Sequence, residues 1–183
     1  MLQIDIPEIE LFDSEKQEFT YIKAQRLQLE HSLLSLSKWE SKWCKPFLST
    51  EQKTTEQTID YIRCMTIGQP PSQDVYNLIA YNEDTIKQIK SYIDAPMTAT
   101  WFNEKEGKKK ASKEIVTAEL IYYWMVALQI PFECEKWHLN KLLTLIKVCN
   151  IKNTPSKKMS KKDIYSRNKA LNEARRMKYG TKG

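Results

Sequence analysis

Glycine is scarce in this chain: four residues in 183, at Gly68, Gly107, Gly180 and Gly183. No two lie close enough to build a phosphate-cradling loop or a dinucleotide-binding turn, which need clustered glycines to let the backbone approach the ligand. A Gly-x-Ser-x-Gly elbow is missing as well. Histidine is scarcer still, and His31 and His138 leave little for acid–base work near neutral pH. The four cysteines (Cys44, Cys64, Cys134, Cys149) are widely and irregularly spaced, so reduced thiols are expected rather than bridges. No apolar run is long enough to span a bilayer. The nearest, Ile115 to Ile130, is too short and contains Glu119 and Gln129. The N-terminal MLQIDIPEIELFD is acidic and lacks the basic opening of a secretory leader. Together these absences predict a soluble, non-enzymatic protein with no cofactor and no membrane partner.

The strongest candidate for chemistry is Cys134-x-x-x-His138, with Cys149 further on. As a zinc site it fails on spacing. His138 and Cys149 are eleven residues apart on one expected helix, roughly 16 Å at 1.5 Å per residue. Cys134 and His138 would need two further ligands, and no second Cys/His pair supplies them. A nucleophilic Cys–His pair lacks a third, orienting group. The bland reading is that Cys149 extends a core stripe and His138 is a hydrogen-bonded helix residue. Glu133 and Glu135 sit where a helix begins, where carboxylates favour the dipole, and that reading outweighs an acid–base pair.

What the chain does have is uneven charge. Its formal net charge is +6, yet from Lys152 onward there are eleven basic residues against two acidic ones, Asp163 and Glu173. The remainder holds 18 basic and 21 acidic residues, so a mildly acidic body carries a basic arm. Three readings of the arm stay open. It binds nucleic acid by displacing counterions. It binds an acidic or amphipathic protein segment and orders in doing so. Or it is a solvated extension without a partner. The candidate partner-binding cations are Lys157, Lys158, Lys161, Lys162, Arg167, Lys169, Arg175, Arg176 and Lys178. A second candidate surface is the helix around Tyr122, Tyr123 and Trp124, apolar nearly all round. Such a helix is usually core, but Tyr and Trp are also enriched at interfaces.

The pattern along the chain predicts an α+β fold, predominantly helical. Residues 1–151 form one domain and 152–183 a basic, partly helical extension. Within the domain, residues 1–30 read as a β-hairpin and 31–151 as mostly helical. Strands are expected at Glu8–Phe12 and Glu18–Glu30 about a polar turn at 13–17, with Pro7 ending a first short strand. Helical stripes follow: Leu33, Leu36, Trp39 and Trp43, stopped near Pro46; Ile59, Ile62 and Met65; Val75, Leu78 and Ile79 behind a Ser72 cap; Ile86, Ile89 and Ile93 behind an Asn82 cap. MTATWF, after Pro96, reads as a short strand. Ser112 is expected to cap a helix that runs to Pro131, and Leu139, Leu142, Leu143, Ile146 and Cys149 mark the last body helix. In the arm, Ser160 and Asp163 resemble a capping pair and Gly180 suits a C-terminal cap. The apolar stripe between them is thin (Ile164, Leu171, Ala174), so a helix there is expected to fray until something docks it.

Several blocks carry a family likeness: LEHSLLSLSKWESKWCKPFL, TIDYIRCMT, MTATWF, and IVTAELIYYWMVALQIPFECEKWHLNKLLTLIKVCN followed by KNTPSKKMS. From about Leu27 to the C-terminus the chain resembles small proteins of the tail modules of long-tailed bacteriophages, tail assembly chaperones or their neighbours. The resemblance implies a mostly helical, non-enzymatic protein of the host cell cytoplasm. Its partners would be the tape-measure protein, whose apolar helices it keeps soluble, and tail-tube subunits it helps recruit. Departure before tail completion and, in some members, a longer frameshifted form belong to the same picture; self-association is a further open expectation. The resemblance transfers no functional residue to a position here. Nucleic-acid binding through the arm, and a permanent place in the virion tail or connector, are the rival readings.

Overall fold

A computed structural model describes residues 1–13, 17–102, 115–154 and 161–180. The fold is mixed α/β and predominantly helical. Contacts divide the chain into two units, Met1–Asn150 and Ile151–Gly183.

The first unit opens with four short strands, β1 (Leu2–Ile6), β2 (Ile9–Asp13), β3 (Glu18–Ile22) and β4 (Gln25–Leu29). β1 pairs antiparallel with β4, setting Leu2 against Leu29 and Ile4 against Leu27. β2 pairs antiparallel with β3, setting Ile9 against Ile22 and Phe12 against Phe19. The expected single strand over 18–30 is thus two strands, broken at Lys23–Ala24 opposite Pro7–Glu8. Pro7 offers no N–H to a ladder, so pairing lapses there. Alternation puts Ile4, Ile6, Leu27 and Leu29 on the buried face. Ser14–Lys16 of the expected turn lie outside the described residues.

Six helices follow in this part of the chain. They are α1 (Leu33–Trp43), α2 (Thr55–Met65), α3 (Gln73–Tyr81), α4 (Glu83–Asp94), α5 (Ala118–Ala127) and α6 (Leu139–Asn153), whose last turn crosses into the second unit. A 3-10 turn at Phe132–Lys136 precedes α6. The starts follow local chemistry. Ser32 and Ser35 form a reciprocal capping box on α1, and Thr54 and Gln57 do the same for α2. Asn82 accepts the Thr85 N–H at the head of α4. Ser72 precedes α3 as expected but makes no side-chain cap bond.

Two apolar clusters hold these elements. One joins the β1–β4 face to Trp39 of α1 and to Ile62, Met65, Val75, Ile79 and Ile89 of α2, α3 and α4. The other joins Leu33 and Leu36 of α1 to Ile121 and Met125 of α5 and Leu139, Leu142 and Ile146 of α6. α1 therefore serves both, its first turn turned to one cluster and Trp39 to the other. Each fully buried large side chain contributes about 1.5–3 kcal/mol. Backbone bonds tie the clusters to β4 and its exit: the Ile67 N–H donates to the Gln28 carbonyl at 2.8 Å and the Leu139 N–H to that of His31 at 2.7 Å.

Two expectations need correction. MTATWF is not a strand: residues 95–102 have no regular structure. Its β-formers have no neighbouring strand to pair with, Met97 takes a left-handed backbone (φ 47°), and Trp101 is 90 % exposed. The helix expected from Ser112 to Pro131 is α5, shorter at both ends. Thr117 caps it, accepting the Leu120 N–H, and it stops at Ala127, before Gln129 turns left-handed (φ 54°). Ser112 itself lies outside the described residues. Among the described residues no helix is long and apolar enough to cross a membrane.

The second unit contains α7 (Lys161–Tyr179), followed by Gly180 with φ 62°, a left-handed position that glycine tolerates without strain.

Candidate functional site

α7 holds seven basic residues and two acidic ones in 19 positions. Every side chain described along it is exposed. At 100° per residue, Lys162, Lys169 and Arg176 recur every seven positions and form one cationic stripe. Ile164 and Leu171 recur on a different line, which Lys178 continues and Arg167 and Arg175 flank. Leu171 is 46 % exposed, so this apolar line is unfilled. Such a helix offers an electrostatic surface with a narrow apolar seam, suited to an acidic partner. Of the sequence-derived cations, Lys161, Lys162, Arg167, Lys169, Arg175, Arg176 and Lys178 lie on α7. Lys157, Lys158 and the Ser160 cap lie outside the described residues.

α5 splits its apolar residues between two environments. Ile121 and Met125, one turn apart, are fully buried in the second cluster. Tyr123 and Val126 point outward, 65 % and 61 % exposed. Tyr122 and Trp124 are half-buried between them. The Tyr122 hydroxyl donates to Glu135 Oε2 at 2.8 Å, and burial together with that carboxylate pushes its ionisation up. Phe132 and Trp137, after α5, are exposed too, and Lys141 Nζ sits 4.4 Å from the Trp137 ring centre. Of the three aromatic candidates, Tyr123 is exposed and Tyr122 and Trp124 are half-buried.

Four buried polar side chains look at first like chemistry. His31 Nδ1 lies 2.6 Å from the Tyr61 hydroxyl. His138 donates from Nε2 to the Tyr92 carbonyl (3.0 Å), and the Asn140 N–H points at its Nδ1 (3.3 Å). The two rings stack edge-on, 5.2 Å apart. Burial, then the neighbouring His138, drives the His31 pKa down to about 4. Glu40 is buried and spends both oxygens on amides, accepting the Phe47 N–H at Oε1 and the Ala118 N–H at Oε2, each at 2.7 Å. Asp60 accepts from Lys42 (2.5 Å), Trp43 Nε1 (2.9 Å) and Arg63 (3.2 Å). In each case the polar atoms bond to other parts of the fold and join separate segments.

Cys134 is buried, and burial, with Glu133 adding to it, raises its thiol pKa, which disfavours the thiolate a nucleophile or metal ligand needs. Among the described residues no three His, Cys, Asp or Glu side chains gather as a metal site. Glu135 has a partner beyond the helix dipole, the Tyr122 hydroxyl. Sequence reading gave no part to His31, Glu40 or Asp60. Glu40 and Asp60 each have one near partner, Phe47 and Arg63, but the bonds that join separate elements, to Tyr61, Trp43 and Ala118, span 17 to 78 residues, so no local spacing announces them. Comparison with protein-family models, curated proteins and solved structures finds no match to this chain.

Proposed function

We propose that the chain is a non-enzymatic protein that holds a segment of another protein, gripping it with the basic arm. In this reading residues 1–30 form a hairpin, the helical body is a scaffold, and 152–183 is the arm. The observation that carries it is α7: a helix with seven cations, an unfilled Ile164–Leu171 seam, and every described side chain exposed. A helix of this composition gains little from propensity alone and most from a docked partner. The resemblance to phage tail assembly chaperones supplies the specific form. The partner is then the tape-measure protein, the chain helps recruit tail-tube subunits, and the setting is the host cytoplasm.

The test is co-expression with the tape-measure protein, comparing the full chain with a full-length variant whose seven α7 cations are exchanged for Gln. The wild type should keep the partner soluble and the variant should not. Equal solubility removes the arm as the grip.

The same seven cations support a second reading, nucleic-acid binding. A gel shift at low and moderate salt separates the two. Affinity that falls steeply with salt favours nucleic acid, because each neutralised phosphate releases a counterion. No shift at low salt removes that reading. Mass spectrometry of purified particles distinguishes a departing chaperone from a permanent tail or connector subunit.

A further inference from the structure

A groove between α2 and α4 lies within the first unit, over the first apolar cluster, whose Tyr61, Ile62 and Ile89 line it. Its apolar lining is Phe47, Ile62, Ile86, Ile89 and Ile93, of which Ile62 and Ile89 are buried and the other three half-buried. The liners fall at helical spacing on both sides: Thr58, Tyr61 and Ile62 on α2, and Ile86, Ile89, Lys90 and Ile93 on α4. The cavity measures about 360 Å³ and opens to solvent. That is the low end for ligand pockets, which work by enclosing most of a small molecule. An open trough between two helices instead matches the groove that receives the apolar stripe of a third helix.

Its charge is one-sided. The charged residues lining it are Lys53 and Lys90, and no acid lines it. Lys53 Nζ lies 4.7 Å from the Phe47 ring centre. Burial lowers its pKa, with nearby Glu51 opposing, which marks a cation partly withdrawn from water. Among the described residues neither lysine makes an ion pair. Lys87, one turn earlier on α4, is paired with both Glu83 and Asp84 at 3.6 Å.

From this geometry we infer that the α2–α4 groove is a docking site for an acidic amphipathic helix of a partner protein, its apolar stripe on Phe47, Ile86 and Ile93 and its carboxylates on Lys53 and Lys90. The inference rests on the reading of the chain as a protein-binding protein, but not on α7 being the grip.

The probe is an 18-residue peptide with leucines at i, i+3, i+4 and i+7 and glutamates on their flanks, titrated into the full chain labelled at isoleucine methyls. The methyls of Ile62, Ile86, Ile89 and Ile93 should shift and saturate. A Lys53→Glu, Lys90→Glu double variant should weaken binding at least tenfold by those signals, with the Ile4 and Ile6 methyls unmoved. A Thr58→Trp variant, which fills the trough, should do the same. The variant with seven Gln on α7 should keep the groove response, so failure of the arm and failure of the groove are told apart. The inference is overturned if the groove methyls stay still, if neither groove variant weakens the response, or if decanoate saturates them and the peptide does not.

Discussion

α5 and α7 both lack a clean amphipathic stripe, for opposite reasons. α5 is apolar around most of its circumference, and the fold covers Ile121 and Met125 while leaving Tyr123 and Val126 in water. α7 is polar around most of its circumference and has every described side chain exposed. The difference shows where each helix gets its stability. For α5 it is packing, plus a cap that another segment completes: the Glu40 carboxylate on the Ala118 amide. α7 buries none of its described side chains, so its stability comes from propensity, local contacts such as Lys178 on the Tyr179 ring, and a glycine stop. A helix held by packing reports on the fold when mutated, whereas one held by propensity reports on whatever docks to it.

The comparison breaks first at Glu40. Replacing it with Leu strips two amides of their acceptor, a part-buried one at Phe47 and a buried one at the head of α5. Each orphaned group costs about 1–3 kcal/mol, so a loss of about 4 kcal/mol is expected in urea unfolding. A loss below 1 kcal/mol would mean that α5 is not anchored this way.

Acid comes next. His31 titrates near 6.5 when free of the fold and near 4 within it, so between those values the unfolded chain binds the extra proton. Stability is therefore full above about pH 6.5 and falls as pH drops to 4, by about 3 kcal/mol. Urea midpoints across pH 7 to 4 check this. The loss should shrink in His31→Gln, which has no ring to charge.

A sharper contrast comes from a pair on α5 itself. Met125→Ala should cost about 2–5 kcal/mol, as buried Met truncations do, and Val126→Ala one position on should stay within about 0.5 kcal/mol. Equal costs would put both faces in the core.

The smallest effect belongs to α7. Ala170→Gly should remove about 1 kcal/mol from that helix by propensity, seen as lost helical signal, with the urea midpoint of the body unchanged. A shifted midpoint would mean that α7 supports the core.

Much of the body was legible in the sequence because helix stripes and caps are local. Leu33, Leu36 and Trp39, the Asn82 cap and the Leu139–Ile146 stripe each needed no more than a dozen neighbouring residues to be seen. The β3–β4 break and the unpaired MTATWF segment were not, since a strand exists only where a partner edge does. Nor was the choice of face on α5, because an all-apolar helix carries no periodicity to orient it. The buried polar nodes were least visible: Glu40 joins residues 78 positions apart. The α2–α4 groove is of the same kind. Its lysines were two among 29 basic residues until folding set them beside an apolar trough.

The central claim, that the arm acts by taking hold of another protein, is tested most directly by hydrogen exchange on the full chain with and without the tape-measure protein. Amides of 161–179 should pass from fast exchange to strong protection in the complex. Unchanged exchange along α7 in a complex that nonetheless forms would contradict the claim.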